Sequence, residues 1–326
     1  MRYAPFAFVS AVACASASPA PVCPTPPAAP ACPPVASTSA PVASVCAAAT
    51  TSAPPPAPTP TPPALEQALA AAEQAVAKND MAAADKALAA ASTAAGGDPH
   101  LDFVVARAKA TRFAQAGDFE HAASAIVAVI PALAKHPELG DEFWAHNAMM
   151  MIREAQGDPA AALAENDQAT LAAARGTWSP ENREKLAFQK DRWHRAYLTR
   201  MLAESRAGSV KRALVTYAEA ALDDYRTQGF PDSIAILEAY FAALDGKRDA
   251  AIAAAKRVDP AKDDDIEDLY LVVVGFAAGG DAASAEAVRK VMRAPGPPRV
   301  SRAIMLRWLD LDAKGRGFTP WHASAR

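Results

Sequence analysis

One arrangement recurs six times along this chain and constrains its fold more than any other feature: a turn residue followed, five positions on, by an alanine. Asn79, Gly117, Gly157, Gly208, Gly246 and Gly280 each separate two stretches of helical periodicity. The alanines are Ala84, Ala122, Ala162, Ala213, Ala251 and Ala285. Twelve positions past the turns stand Ala91, Val129, Ala169, Ala220, Val258 and Met292, all small or apolar. The pattern has a physical cause. Glycine and asparagine tolerate the positive φ that ends a helix. Asp80, Asp118, Asp158 and Asp281 follow their turn residues, where an aspartate caps the next helix and meets its positive end. An alanine a turn and a half further on lets two antiparallel helices approach closely. The repeat therefore predicts tandem helical hairpins.

Helical periodicity begins abruptly at Ala64. Leu65, Leu69, Ala72 and Val76 fall at three- and four-residue steps, and a second helix follows from Met81 to about Ala94. Alanine supplies roughly a quarter of the chain, against 7% aromatic residues. It is the best helix former and the smallest side chain able to pack a helix interface, so this composition points to close-packed helices and away from a sheet.

The turn glycine with alanines at plus five and plus twelve resembles the tetratricopeptide repeat, which also carries an aromatic at plus two. Gly117-Asp118-Phe119 with Ala122 matches that pattern best. Elsewhere plus two is Met81, Pro159, Val210, Arg248 or Ala282, and the turns lie 38, 40, 51, 38 and 34 residues apart, only the last matching the family's period. The resemblance implies an all-α solenoid of about six stacked hairpins. A helix from Arg299 to Ala313, after the break at Pro295-Gly296-Pro297-Pro298, would cap it. The competing reading is an irregular alanine-rich bundle. A solenoid implies an extended face for a protein or peptide partner, an inference by fold analogy.

The first thirteen residues have the layout of a secretory signal: one positive charge at Arg2, a short apolar run and small residues ending Ala11-Val12-Ala13. The run is too short to cross a bilayer, which takes about 20 apolar residues. Cys14 follows, and Ala11-Val12-Ala13-Cys14 resembles the lipobox of bacterial lipoproteins, departing from it at Ala11, where leucine is usual. The resemblance implies acylation of Cys14 and a lipid-anchored protein of the periplasm or outer membrane. Ordinary secretion and no export are the alternatives. Residues 14–63 are rich in proline, alanine, serine and threonine and, after the leader, carry no charge, as befits a semi-rigid spacer. Cys23, Cys32 and Cys46 fall within it, either free or paired in an oxidising compartment. The helical repeats occupy residues 64–313, and residues 314–326 read as a flexible tail.

Function has one candidate location. The long interval before Gly208 implies an extended first helix, about Pro180 to Arg206, and residues 175–212 hold ten lysines and arginines against four acids. Leu186, Trp193, Tyr197 and Met201 form an apolar stripe within it. Such a stripe is either the buried face of a helix with a solvated charged back or the floor of a groove. On the second reading Trp178, Arg192, Trp193, Arg195 and Tyr197 would contact an acidic peptide or polyanion, since an arginine fork suits carboxylates and phosphates. Asp263, Asp264, Asp265, Glu267 and Asp268 are expected at a helix start, favoured by its dipole.

Catalytic signatures do not occur. No two of the six histidines have zinc-helix spacing, and His146 has only Glu142 one turn back. There is no phosphate-binding glycine loop and no nucleophile elbow. Neither a metal nor a cofactor is expected, and the formal net charge of -3 gives no reason to expect nucleic acid. The leading expectation is a non-catalytic scaffold at the envelope. An enzymatic or accessory subunit acting on envelope polymers and a polyanion-binding module are the alternatives.

Overall fold

A computed structural model describes residues 61–313, apart from 180, 183–189, 228, 264 and 297–298 and the side chains of 311–313. Its elements are helices, with no strand among the described residues. The first hairpin is α1 (Pro63–Ala77) with α2 (Met81–Ala95), the second α3 (Pro99–Ala116) with α4 (Phe119–Val127), continued by the single turn α5 (Ile130–Leu133). The third is α6 (Asp141–Ala155) with α7 (Pro159–Arg175), and the fourth α8 (Asp191–Glu204) with α9 (Gly208–Arg226). The fifth is α10 (Pro231–Leu244) with α11 (Arg248–Ala255), the sixth α12 (Ile266–Gly279) with α13 (Ala282–Arg293), and α14 (Val300–Ala313) follows. The second helix of each hairpin packs on the first helix of the next, giving the tetratricopeptide-like stack that the repeat predicts.

The turns work as their residues dictate. All six turn residues have positive φ, from 58° at Asn79 to 89° at Gly280. In five of the six the following N–H reaches back across the turn to a carbonyl of the first helix, as Asp118 N does to Phe113 O at 2.9 Å. Asp80, Asp118, Asp158 and Asp281 each accept a hydrogen bond from the backbone N–H three residues on. The alanines at plus five in these hairpins, and Ala251 in the fifth, are completely buried.

The fourth hairpin is the exception. Ser205, Arg206 and Ala207 separate its helices, so α9 begins at Gly208 instead of two residues beyond it. That slip moves the buried face by one position. Ala213 and Ala220 are exposed, and Ala218, Leu222 and Tyr225 make the contact. The longer helix expected before this turn is described only from Asp191 to Glu204; residues 183–189 lie outside the described residues.

One apolar cluster runs from Phe103 to Leu309, while Leu65, Ala91, Ala95, Leu101 and Val105 form a separate one under the first hairpin. Helix α12 is apolar on nearly every face because α10, α11, α13 and α14 surround it. No described helix is long and apolar enough to cross a membrane. Helix α14 does more than follow the sixth hairpin. It returns along the first helices of earlier hairpins, packing on α3 and α6 as well as α12. Gly117 marks how close it comes: a Cβ there would lie 2.3 Å from the Arg307 guanidinium.

Candidate partner-binding groove

The five residues singled out in the sequence do not come together as a surface. Trp193 and Tyr197 are 6% and 1% exposed. They pack in the core with ring centroids 5.4 Å apart, and Tyr197 continues onto Tyr240 at 5.2 Å. Their groove role is therefore corrected: α8 turns this stripe inward, against α6 and α10. Arg192 is bound by Asp224 at 3.1 Å, and Arg195 by Asp167 and Asp191 at 2.8 and 3.1 Å. Trp178 sits half-buried beyond α7, edge-on to Phe143 and covering Gly140 and Gly176. It is a packing residue, because a Cβ on either glycine would collide with the indole. Cys14, with the leader, the spacer through residue 60 and the tail, lies outside the described residues.

Five of the ten basic residues of 175–212, Arg192 and Arg195 among them, are paired in space. Arg175 meets Glu142, Arg200 meets Glu204 and Asp245, and Lys211 meets Glu204. Against the cost of burial, hydrogen bonds from Lys211 and Arg200 hold the Glu204 carboxyl below its ordinary range. The partners Glu142, Asp167, Asp224 and Asp245 belong to other helices or helix ends, so a count along one segment misses most of them. His146 likewise pairs with Glu165 at 2.7 Å, leaving Glu142 to Arg175.

An open groove lies elsewhere, between the first hairpin, α3 and α14, with a volume of about 810 Å³. One wall is apolar: Leu69, Ala72 and Val76 on α1 and Leu88 on α2, continued by Val104 and Ala108 on α3. Leu69 and Val76 belong to the helical stripe visible in the sequence, but they are only half-buried, because α2 takes Leu65, Ala72 and Ala75. The opposite wall is cationic, with Arg299, Arg302 and Arg307 on α14 or just before it and Arg107 and Arg112 on α3. Among the described residues Glu73 and Asp310 are the acids lining it, and Asp310 is engaged by Arg293.

Three of these arginines lack hydrogen-bonding or ion-pair partners among the described residues. Arg112 has Asp85 at 2.7 Å, and Arg302 donates to the Met292 and Ala294 carbonyls. Arg107 has the Phe103 ring 5.6 Å from its guanidinium and a longer-range attraction to Asp141, whose hydrogen bond goes to His100, and Arg299 and Arg307 have no hydrogen bond or ion pair. Desolvation, and then the like charge of Arg299, lower the Arg107 pKa against the opposing pull of Asp141, although the side chain as a whole stays open to the groove. A second, smaller cavity of about 380 Å³ continues past Arg107, Arg299 and Arg302 to Lys190, Trp144 and Glu267. Chemically, the groove can receive negative charge along one side and apolar surface along the other.

A buried polar cluster lies behind the smaller cavity. The Tyr197 hydroxyl donates to Glu154, and His194 Nε2 stands 3.8 Å from Glu267. Glu154 is completely buried, and burial first, then the Glu267 charge, push its carboxyl well above the usual range. Asp268 is shifted the same way, by burial and then by Asp265 and Asp263. The acidic run sits at a helix start as expected, with Glu267 and Asp268 in the first turn of α12, but it is not all solvated. Asp265 caps α12, whereas Glu267 points into the core. Sequence reading offered no signal for this, since Glu154 lies over a hundred residues upstream of Glu267. Among the described residues no group of three or more His, Cys, Asp or Glu is placed to hold a metal ion.

No protein-family model matches the chain, and no curated protein or solved structure is significantly similar to it. The molecule is defined by its own geometry, as an all-α stack of tetratricopeptide-like hairpins with an arginine-walled groove.

Proposed function

We propose that this chain is a non-catalytic scaffold of the bacterial cell envelope that holds a segment of another protein in the groove between α1, α3 and α14. The observation that carries this reading is the groove's composition. It pairs a half-buried apolar stripe with three guanidinium groups, those of Arg107, Arg299 and Arg307, that have no carboxylate at hydrogen-bond distance among the described residues. A stable chain normally covers such a stripe or pairs such charges, so a surface offering both is suited to a partner. The leader and the cysteine at position 14 support placing the scaffold on a membrane surface, held by lipid and set off by the proline-rich spacer.

A photo-crosslinking residue at Val76 or Leu306 in the full chain is expected to capture a defined protein, while the same residue at Leu171, exposed on α7, is not. Equal capture from both faces would remove the groove from this role. Membrane fractionation of a Cys14→Ala variant tests the tether, and retention at the membrane would refute lipidation.

A further inference from the structure

We infer that the groove's ligand is an acidic amphipathic helix, lying with its apolar side on α1 and its carboxylates along the arginine wall. This rests on the reading above, that the groove holds a protein segment, and names the chemistry of that segment.

Length and shape come first. From Arg299 to Arg307 the cationic wall follows α14 for about 12 Å at 1.5 Å per residue, or two helical turns. The facing stripe on α1, Leu69, Ala72, Val76 and Ala77, repeats at helical steps, and α3 forms the floor between them. Three helices around an open trough leave the place of a fourth, the geometry in which an amphipathic helix docks by its apolar side.

Charge then selects the sign and spacing. The arginines are spread along the groove: Arg299 and Arg302 near one end of α14, Arg107 and Arg112 successively along α3, and Arg307 beside Gly117. A single-headed anionic amphiphile would need its cations gathered at one end. A row of cations suits a ligand with carboxylates every turn. Arg107 and Arg299 also repel each other, and among the described residues neither has a carboxylate at hydrogen-bond distance. Asp141 acts on Arg107 only from further off and is itself held by His100, so an incoming anion would relieve the repulsion. The remainder of the chain is poorly suited to fill the trough. Residues 1–60 contain no acid, and residues 314–326 carry Lys314, Arg316 and Arg326 without one.

The test uses the full chain and a labelled helical peptide of 14 residues, with leucines on one face and glutamates on the other. Its control replaces every glutamate by glutamine. The glutamate peptide is expected to bind at least about tenfold more tightly at low salt, with the advantage shrinking as salt is raised. An Arg107→Ala/Arg299→Ala variant should erase that advantage while leaving the circular dichroism unchanged, since both side chains are exposed. Arg192→Ala/Arg195→Ala should retain it. Equal binding of the two peptides, binding of neither, or an advantage that survives loss of both groove arginines would each overturn the inference. So would phosphatidylglycerol vesicles binding through Arg107 and Arg299 when the peptide does not. If the peptides bind equally but a crosslinker at Val76 still captures one protein, only the acidic ligand falls; if it captures nothing, the scaffold reading falls too.

Discussion

The fourth hairpin and the α3–α14 wall are both rich in arginine, and they treat their charge in opposite ways. In the hairpin, Arg192, Arg195 and Arg200 are held by carboxylates, mostly from other helices. On the wall, Arg107, Arg299 and Arg307 have none at hydrogen-bond distance among the described residues. The hairpin is the more basic stretch of sequence, yet the wall holds three arginines without an ion pair among the described residues. A charge recruits a partner only if the fold has left it uncompensated, and compensation is a property of the stack, not of a segment. Paired surface charges contribute little to stability and are screened by salt, while unpaired charges beside apolar surface direct binding.

The strongest way to break this contrast is at Arg200, the one cation of the hairpin that is almost fully buried. It donates to Glu204 and Asp245 and lies over the Phe241 ring. Removing one partner of a buried ion pair strands the other, and Arg200→Ala is expected to cost about 3 kcal/mol or more in chemical denaturation. A loss below about 1 kcal/mol would mean that Lys211 and Lys247, which also hold these acids, suffice alone. The hairpin's pairing would then be decoration.

A second comparison sharpens the packing difference, and it shows how far sequence alone can reach. The six turns, four aspartate caps and the run of buried alanines were legible because each is a local rule: positive φ, an orphaned N–H, a close approach. The register of α9 was not, because the helix starts on the turn glycine itself and not two residues beyond it, while the glycine and its alanine keep their spacing in sequence. Substituting Ala162→Leu should overpack the α6–α7 contact and cost about 1–3 kcal/mol, whereas Ala213→Leu, on the exposed face, should stay within about 0.5 kcal/mol. Equal losses would show that the fourth hairpin keeps the common register after all. The groove was illegible for a different reason. Its two walls come from residues 69–115 and 296–310, and only the return of α14 makes them neighbours.

The stripe of the fourth hairpin also borders an acid that holds a proton. With its carboxyl raised above the ordinary value of 4.5, Glu154 stays protonated in the folded chain at pH values where the unfolded chain has released that proton. Its contribution is therefore complete below the ordinary glutamate range and is lost as pH climbs toward the folded pKa. Glu154→Gln keeps an acceptor for the Tyr197 hydroxyl and removes the titration. The variant should gain on the parent as pH rises from acid to neutral, and the two should converge in acid. Asp268 acts with the same sign, so the parent's remaining slope should flatten without vanishing. The carboxyls of Glu204, Glu238 and Asp245 are lowered and act with the opposite sign, so the test is the difference between parent and variant. A difference that stays constant over that interval would refute the raised carboxyl.

The smallest effects carry the sharpest contrast, because they exchange roles between the two regions. Arg192 pairs with Asp224, whose side chain is more than half exposed, so Arg192→Ala should cost less than about 1 kcal/mol. It should leave binding of an acidic helix unaltered. Arg299→Ala removes an exposed charge with no ion pair among the described residues and a like charge nearby in Arg107, so stability should stay within about 0.5 kcal/mol. Binding at the groove should weaken. The two substitutions delete the same functional group from the same protein, and net charge changes equally in both. If they weaken binding equally, affinity follows total charge and the groove has no special claim. If only Arg299→Ala does so, the decisive property is the absence of an intramolecular partner, and the stack has segregated its arginines into those that hold hairpins together and those left for a ligand.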